Sequence, residues 1–368
     1  MQRVTSPLAA ALDRALDRLP LLRLSASHPE LPRPWDQLRV IRVVLLSAML
    51  VSLLVATLPG GDDGVKPGTP IAAAPLGSPR PTSTATPTPT ARPTPTPARL
   101  LQLPRGGREV FPRYRLVGYA GGPGSAALGR LGIGDPDARV AEIERLGRHY
   151  AGGRQVLPVL ELITVVAHDK PGRSGSYNGM IDAAEIDRWL VIARRHKAVL
   201  LLDIQPGRAD FLPLVKALRP WLVQPDVGVA LDPEWAVGPG QVPGRVFGST
   251  TGEELDQVAA YLAALVRARR LPQKIMVVHQ LAPRVIRNLE RLRPHREVAV
   301  IKSVDGIGSP AAKTDTWNRL VAGLGRLPGG VHPGFKLFFE EDARGASTLM
   351  GPAQVMRLRP TPEYILYE

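Results

Sequence analysis

Residues 199–235 read VLLLDIQPGRADFLPLVKALRPWLVQPDVGVALDPEW. Two apolar runs, Val199–Gln205 and Gly228–Glu234, lie on either side of a helical pattern at Phe211–Leu222. Both runs are apolar at successive positions, which is typical of parallel strands that are covered on both faces. A strand, a helix and a second strand in this order predict a parallel βαβ unit.

The same unit repeats through the C-terminal part of the chain. Further strands are predicted at Tyr114–Ala120, Val156–Val165, Lys274–Gln280, Val298–Val304, Gly334–Phe339 and Glu363–Tyr367. Helices are predicted at Asp137–Tyr150, Ala183–Lys197, Glu253–Leu271, Pro283–Leu292, Thr314–Leu324 and Pro352–Arg357, and a capping box at Asp182-x-x-Glu185. Eight such units in about 255 residues match a closed (β/α)8 barrel of the TIM type, which is the fold class predicted for residues 113–368. A doubly wound open sheet is the alternative.

The N-terminal part contains an apolar run, VVLLSAMLVSLLVATL at Val43–Leu58, which ends before Pro59-Gly60-Gly61. This run predicts a transmembrane helix over residues 43–61 that acts as a signal anchor. A cleaved signal peptide is the alternative, but 42 residues precede the apolar run, more than such a peptide normally has. Seven arginines against four acidic residues in 1–42 predict a basic cytoplasmic tail and an extracytoplasmic location for the rest.

The segment between anchor and barrel is rich in proline and threonine. It includes TPTPTARPTPTP at residues 86–97. Proline fixes φ and removes hydrogen-bond donors, so the segment favours extended polyproline II and cannot form a core. Residues 62–112 are therefore predicted to be a disordered linker that lifts the barrel from the cell membrane into a wall or glycan layer.

The amino-acid composition excludes several classes of site and partner. The chain has no cysteine, which excludes disulfides and thiolate metal sites. Its net charge is +14, but the basic residues are scattered and no aromatic residues are interleaved with them. Nucleic-acid binding requires a concentrated basic stripe, so no nucleic-acid partner is expected. The charge suits an anionic wall or membrane surface instead.

Polar residues recur late in the apolar runs, where a barrel of this kind carries its active site. They are Glu161, Asp203, Gln205, Asp232, Glu234, His279, Gln280, Lys302, Asp305, Glu340, Glu341 and Asp342. An unpaired buried charge is costly, so their convergence on one polar pocket is predicted. Barrel-lining ion pairs and helix caps are the alternative, and for His279 a hydrogen-bonded core position.

The segment that most strongly indicates a catalytic site is Leu231-Asp232-Pro233-Glu234-Trp235. Strand alternation places Asp232 and Glu234 on one side, roughly 6.6 Å apart. Like charges at that spacing raise one pKa, which leaves a protonated carboxyl able to act as a general acid. Trp235 is predicted to be a platform for a sugar ring, with a core tryptophan as the alternative.

The layout resembles barrel glycoside hydrolases in two ways. The first resemblance is to the retaining clan that includes cellulases and β-mannanases. Glu234 matches the position of that clan's acid after the fourth strand, and Glu341 or Glu340 matches the position of its nucleophile after the seventh. This resemblance implies hydrolysis with retention of the anomeric configuration. The usual Asn before the acid is replaced by Pro233. The Asp-x-Glu at Asp232 and Glu234 is similar to the chitinase type, although Val227 and Ala230 depart from its longer motif.

A further likeness to a group of exported barrel proteins is carried by LLLDIQPGRADFL, GVALDPEW and GFKLFFEED, and it implies no activity. The function predicted from the sequence is that of a membrane-anchored, extracytoplasmic glycoside hydrolase acting on cell-wall or other extracellular glycan. The catalytic candidates are Glu234, Asp232, Glu341 and Glu340. The substrate-binding candidates are Glu161, Asp203, Gln205, Trp235, His279, Gln280, Lys302, Asp305 and Tyr177.

No cofactor or resident metal is expected in this reading, and the sequence does not indicate the oligomeric state. Two alternatives remain open. One is a barrel that binds glycan without cleaving it. The other is a metal-dependent lyase or phosphodiesterase, with a divalent ion held by Glu161, Asp203, Asp232 and His279.

Overall fold

The computed structural model describes residues 100–325 and 327–368. The predicted cytoplasmic tail (1–42), the membrane anchor (43–61) and residues 62–99 of the predicted linker lie outside the described part. Among the described residues, no helix is both long enough and apolar enough to cross a membrane.

The strands close into a barrel. In chain order they are β1 (Tyr114–Gly121), β2 (Gln155–Ala167), β3 (Asn178–Met180), β4 (Val199–Ile204), β5 (Val227–Leu231), β6 (Thr250–Thr251), β7 (Lys274–Gln280), β8 (Ile286–Arg287), β9 (Val298–Val304), β10 (Val331–Leu337) and β11 (Tyr364–Tyr367). Eight of them pair in parallel in the order β1-β2-β4-β5-β7-β9-β10-β11, and β11 pairs again with β1. The predicted eight-stranded parallel barrel is confirmed, and the open-sheet alternative is excluded. Strand β3 adds antiparallel to β2, and β6 pairs with β8 separately.

Helices cover the outside of the barrel. They are α1 (Pro136–Gly147), α2 (Ala183–Arg195), α3 (Phe211–Ala217), α4 (Arg219–Leu222), α5 (Gly252–Arg269), α6 (Pro310–Leu320) and α7 (Pro352–Val355). Ile186, Trp189 and Ala193 recur at helical spacing and bury one face of α2. The Thr251 hydroxyl caps α5 by accepting a hydrogen bond from the Glu254 amide at 3.3 Å.

Two local predictions are wrong. Residues 283–292 form no α-helix: single 3₁₀ turns at Pro283–Val285 and Leu289–Arg291 flank β8, and Asn288 between them is left-handed, with φ 51°. The capping box is not formed either, because the Asp182 side chain makes no capping hydrogen bond. The Glu185 carboxylate instead accepts hydrogen bonds from Arg188 and Trp189.

Alternation along the strands positions the site. One set of side chains packs outward against the helices, and the other fills the barrel with Leu116, Leu157, Val159, Val199, Leu201, Ala230, Ile275, Val277, Ala299, Ile301 and Leu366. Because side chains alternate with a period of two, the next inward positions towards the strand ends are Glu161, Asp203, Asp232, His279 and Ser303. A polar layer therefore lies directly above the apolar filling, at the C-terminal mouth.

The N-terminal end of the barrel is closed by the segment that precedes β1. Leu103 and Val110 are buried against Tyr114 in the interior cluster. The Tyr114 hydroxyl donates a hydrogen bond of 2.6 Å to the Gly106 carbonyl. Packing of the barrel thus begins at Leu103, before the predicted domain start at residue 113.

Lys274, at the start of β7, is a buried cation outside the mouth. Its ammonium donates to the carbonyls of Gln224 and Val227, the latter at 2.6 Å. Burial lowers the pKa of Lys274 to about 7, from an unperturbed value of 10.5. Between these two pH values the unfolded chain holds a proton that the folded chain has released, so this group makes the fold more stable as the pH rises.

We therefore expect the free energy of unfolding of the wild type to rise, relative to that of Lys274→Met, by about 2 kcal/mol between pH 7 and pH 9. Urea unfolding at both pH values measures this difference. The exposed Lys216, replaced by Met in the same way, is the matched control. A difference between wild type and Lys274→Met that does not change with pH would contradict the expectation.

Candidate active site

A layer of charged and polar side chains fills the C-terminal mouth of the barrel. Glu161, Asp203, Asp232, His279 and Asp305 are all buried there, each from a different strand or the turn after it. Gln205 and Glu234 join them. Of the residues predicted from the sequence, these seven are brought to the mouth together.

His279 and Asp305 form the centre of one network. The His279 Nδ1 atom lies 2.7 Å from Asp305 Oδ2, and Asp305 Oδ1 accepts a hydrogen bond of 2.9 Å from the Ser303 hydroxyl. The Lys336 ammonium lies 3.5 Å from Asp305 and 2.6 Å from the Glu368 carboxylate. Burial favours the neutral carboxyl, but His279 and Lys336 outweigh it and lower the pKa of Asp305 to about 2. Asp305 is therefore a fixed negative charge behind the imidazole.

Glu161 lies on the other side of the same imidazole. Its Oε2 accepts a hydrogen bond of 2.5 Å from the Tyr364 hydroxyl. Its Oε1 is 3.1 Å from His279 Nε2, but the pair is not aligned as a hydrogen bond, and neither atom has another partner among the described residues. Burial disfavours the imidazolium, yet the carboxylates of Asp305 and Glu161 raise the pKa of His279 well above its usual value.

Asp203 and Asp232 lie beside His279. Asp203 Oδ1 accepts a hydrogen bond of 2.8 Å from the Ile204 amide, whereas Asp232 Oδ2 has only a long contact of 3.5 Å with Gln205. Asp232 Oδ1 has no partner in the described part of the chain. Burial, then the charge of Glu161, raises the pKa of Asp203 to about 7. Burial and Asp203 raise the pKa of Asp232 well above the usual range.

Glu234 follows Asp232 on a single 3₁₀ turn, Pro233–Trp235, that begins where β5 ends. Its backbone carbonyl accepts a hydrogen bond of 2.7 Å from the Gly248 amide, which fixes the turn. The side chain is 8% exposed, and its Oε2 has no partner within the described region. Burial, followed by the charge of Asp232, raises the pKa of Glu234 well above the usual range. Burial and the neighbouring carboxylates thus favour the protonated form of the Glu234 carboxyl.

Trp235 is part of a small apolar cluster. It packs with Ala167, and Phe247, Leu281 and Ile307 are packed against the pair. Ala167 is the last residue of β2, and the others follow β5, β7 and β9, so the cluster lies at the C-terminal ends of the strands, beyond the polar layer. Trp235 is 7% exposed, as in the core-tryptophan alternative, and does not offer the open ring face that a sugar platform needs.

The other predicted site residues lie elsewhere. Lys302 points outward and donates to the Leu320 carbonyl at 2.6 Å, and Gln280 donates to the carbonyls of Ala282 and Pro283. Glu340 is exposed, and Glu341 pairs with Arg344 at 3.4 Å. Tyr177 lies in the loop between β2 and β3, with the Arg208 guanidinium 3.9 Å from its ring centre. The contacts of these five residues do not join them to the polar layer.

Four residues of the hydrogen-bond and ion-pair network in the mouth were not predicted from the sequence. Ser303, Lys336, Tyr364 and Glu368 all take part in the contacts described above. Two-residue alternation would have found three of them: Ser303 follows the inward Ile301, Lys336 follows the inward Gly334, and Glu368 follows Tyr364 and Leu366 on the same side.

The fold and the mouth together define a (β/α)8 barrel with a buried acid–imidazole cluster where barrel enzymes carry their active sites, an architecture compatible with a glycosidase-like enzyme. No protein-family model matches the chain, and no curated protein is similar to it. Its function is therefore argued from the site.

Proposed function

We propose that the barrel is a glycoside hydrolase whose general acid is Glu234. The observation that carries the proposal is the Glu234 carboxyl itself: it is buried at a strand end beside a second carboxyl, and its Oε2 has no partner among residues 100–325 and 327–368. Glycosidic bonds break when a protonated carboxyl supplies a proton to the leaving oxygen. A carboxyl whose pKa is raised by burial and by Asp232 holds that proton to a higher pH than an exposed carboxyl does.

Asp232 is the better-supported partner of Glu234. It is buried beside Glu234, and its Oδ1 has no partner among the described residues. Glu340 is exposed and Glu341 is paired with Arg344, and on β10 the residue that faces the polar layer is Lys336. These placements favour the chitinase-like pair of Asp232 and Glu234 over a nucleophile at Glu340 or Glu341.

In this mechanism Glu234 gives its proton to the glycosidic oxygen as the bond from that oxygen to the anomeric carbon breaks. The carbonyl oxygen of the substrate's own 2-acylamino group then bonds to the anomeric carbon, while Asp232 accepts a hydrogen bond from the amide N–H. Water next attacks the anomeric carbon, the bond between that carbon and the acyl oxygen breaks to restore the 2-acylamino group, and the water gives one proton to Glu234. The substrate class is thus a polysaccharide with 2-acylamino sugars.

Substitution of the candidate partners tests this assignment. Asp232→Asn is expected to lower turnover of an acetylated amino-sugar polysaccharide by about 10² or more, because Asn cannot become the carboxylate that accepts the amide hydrogen bond and balances the positive charge formed at the anomeric carbon. Glu340→Gln and Glu341→Gln are expected to retain turnover within about twofold. If Glu341→Gln loses turnover while Asp232→Asn keeps it in full, the assignment of Asp232 is wrong, and Glu341 is the nucleophile.

The proposed location is outside the cytoplasm, with the barrel held at the cell membrane by residues 43–61 and acting on cell-wall or other extracellular glycan. The basic tail before that apolar run and the proline-rich segment after it support this arrangement. The net charge of +14 also suits a negatively charged wall.

Protease added to intact cells or spheroplasts is expected to cut within residues 62–99, because exposed extended segments are preferred cleavage sites, and to release a soluble barrel fragment. Immunoblotting of the supernatant detects that fragment. A barrel that is digested only after lysis would contradict the proposed orientation.

A further inference from the structure

We infer that Asp203, Asp232 and His279 form a binding site for one divalent metal ion, Mn²⁺ or Zn²⁺. One donor atom from each residue lies within 4.8 Å of the donor atoms of the other two, and all three side chains are buried. Ligand atoms that are each about 2.1 Å from one ion are roughly 3 to 4 Å from each other. Donor atoms at the 4.8 Å limit therefore have to approach one another by about 1 to 2 Å to close the site.

Unpartnered atoms inside the cluster point to a ligand independently of the spacing. Asp232 Oδ1 and His279 Nε2 have no hydrogen-bond partner among the described residues, although Asp232 is 4% exposed and His279 is fully buried. Glu161 Oε1 lies 3.1 Å from His279 Nε2, close enough for an ion pair when the imidazole is protonated. Buried polar atoms are normally satisfied, so Asp232 Oδ1, which has no hydrogen-bond partner in the described part of the chain, indicates a missing partner. A cation between Asp203, Asp232 and His279 supplies that partner.

The orientation of the imidazole fits the same ligand. Metal-binding histidines commonly hold the ring nitrogen remote from the metal in a hydrogen bond to a carboxylate, which fixes the ring. Here His279 Nδ1 is 2.7 Å from Asp305 Oδ2, and Ser303 and Lys336 hold Asp305 in turn. Nε2 then lies on the opposite side of the ring from Asp305 and makes no hydrogen bond to the described residues. Asp305 is a positioning residue for His279.

The donor set selects the kind of ion. One imidazole nitrogen with two or three carboxylate oxygens suits a first-row divalent ion, whereas the chain has no thiolate to offer softer metals. Three acidic side chains around the site, Glu161, Asp203 and Asp232, supply the compensating charge. Asp232 belongs both to this site and to the proposed acid–base pair, so the test uses no substrate and its result is independent of turnover.

Calorimetric titration of the full chain, purified in detergent and stripped with a chelator, tests the inference with MnCl₂ or ZnCl₂ alone. Binding of one ion per chain is expected. Asp203→Asn and His279→Gln, both close in shape to the native residues, are each expected to weaken binding at least tenfold, and Asp305→Asn by about tenfold through the ring orientation. The exposed Glu290, replaced by Gln, is the matched control and keeps wild-type affinity.

Circular dichroism and urea unfolding identify any variant that fails to fold, and Mn²⁺ electron paramagnetic resonance of the folded variants gives a second readout. Absence of saturable binding to the wild type overturns the site. So does binding that is equally tight in wild type, Asp203→Asn and His279→Gln, since that ion is held elsewhere on the chain. Failure of hydrolysis with intact metal binding would reject the proposed function alone.

Discussion

Glu234→Gln is expected to lower glycan hydrolysis by about 10² or more while leaving the fold at least as stable as the wild type. Glutamine has the shape of glutamate but no proton to give. Because Glu234 Oε2 has no hydrogen-bond partner among the described residues, the substitution breaks no bond at that atom. It also removes a buried ionisable group next to Asp232. A loss of turnover without a loss of stability separates a chemical role from a structural one.

Initial rates on acetylated amino-sugar polysaccharide, together with thermal unfolding, measure both effects. The control is Glu290→Gln, the same chemical change at an exposed position on a 3₁₀ turn, for which rates and melting temperature are expected to be unchanged. Full activity of Glu234→Gln would show that Glu234 is not the general acid. Equal glycan binding by wild type and Glu234→Gln, with no turnover by either, would instead favour the non-catalytic glycan-binding barrel.

Asp342→Ala is expected to destabilise the fold by about 3–5 kcal/mol, because it leaves a buried ammonium without its counter-ion. Asp342 Oδ2 lies 3.0 Å from Lys313 Nζ on α6, and both side chains are almost fully buried. The same carboxylate accepts hydrogen bonds from the amides of Gly308 and Phe338, at 2.9 and 3.0 Å. It therefore ties together the turns after β9 and β10 beside the mouth.

Urea unfolding measures the loss. Arg291→Ala removes an exposed ion pair, in which Arg291 lies 3.8 Å from Glu253, and is the control, with an expected loss below about 1 kcal/mol. Adding Lys313→Met to Asp342→Ala is expected to recover part of the stability, since it removes the stranded charge. A loss below about 1 kcal/mol for Asp342→Ala would show that Lys313 is neutral or solvated in the fold.

The barrel was predictable because strands that are covered on both faces are apolar at successive positions, which is easily seen in the sequence. The runs at Lys274–Gln280 and Val298–Val304 match β7 and β9 residue for residue. The predicted run Gly228–Glu234 extended three residues beyond β5, because Pro233 begins a 3₁₀ turn there. Residues 283–292 have helical apolar spacing, but the left-handed Asn288 and the pairing of β8 with β6 override it. The spacing of apolar residues predicts which side chains are buried, but it does not predict turns of this kind.

The site was predictable where a polar residue interrupts an apolar run and faces inward. Asp203, Asp232 and His279 meet both conditions, and the structure brings them together. Lys302 and Gln280 meet only the first condition, because their parity directs them outward to backbone carbonyls. The position of Trp235 depends on contacts with Phe247, farther along the same connection, and with Leu281 after β7, which sequence spacing does not link to it.

Mass spectrometry of the products that the full-length wild type releases from a wall polysaccharide in water enriched in oxygen-18 shows whether the mouth hydrolyses glycosidic bonds. Hydrolysis is expected to give new reducing ends that each carry one labelled oxygen, and Glu234→Gln is expected to give none. Unlabelled, unsaturated products, which a lyase would form, or no products in spite of bound glycan, would contradict it.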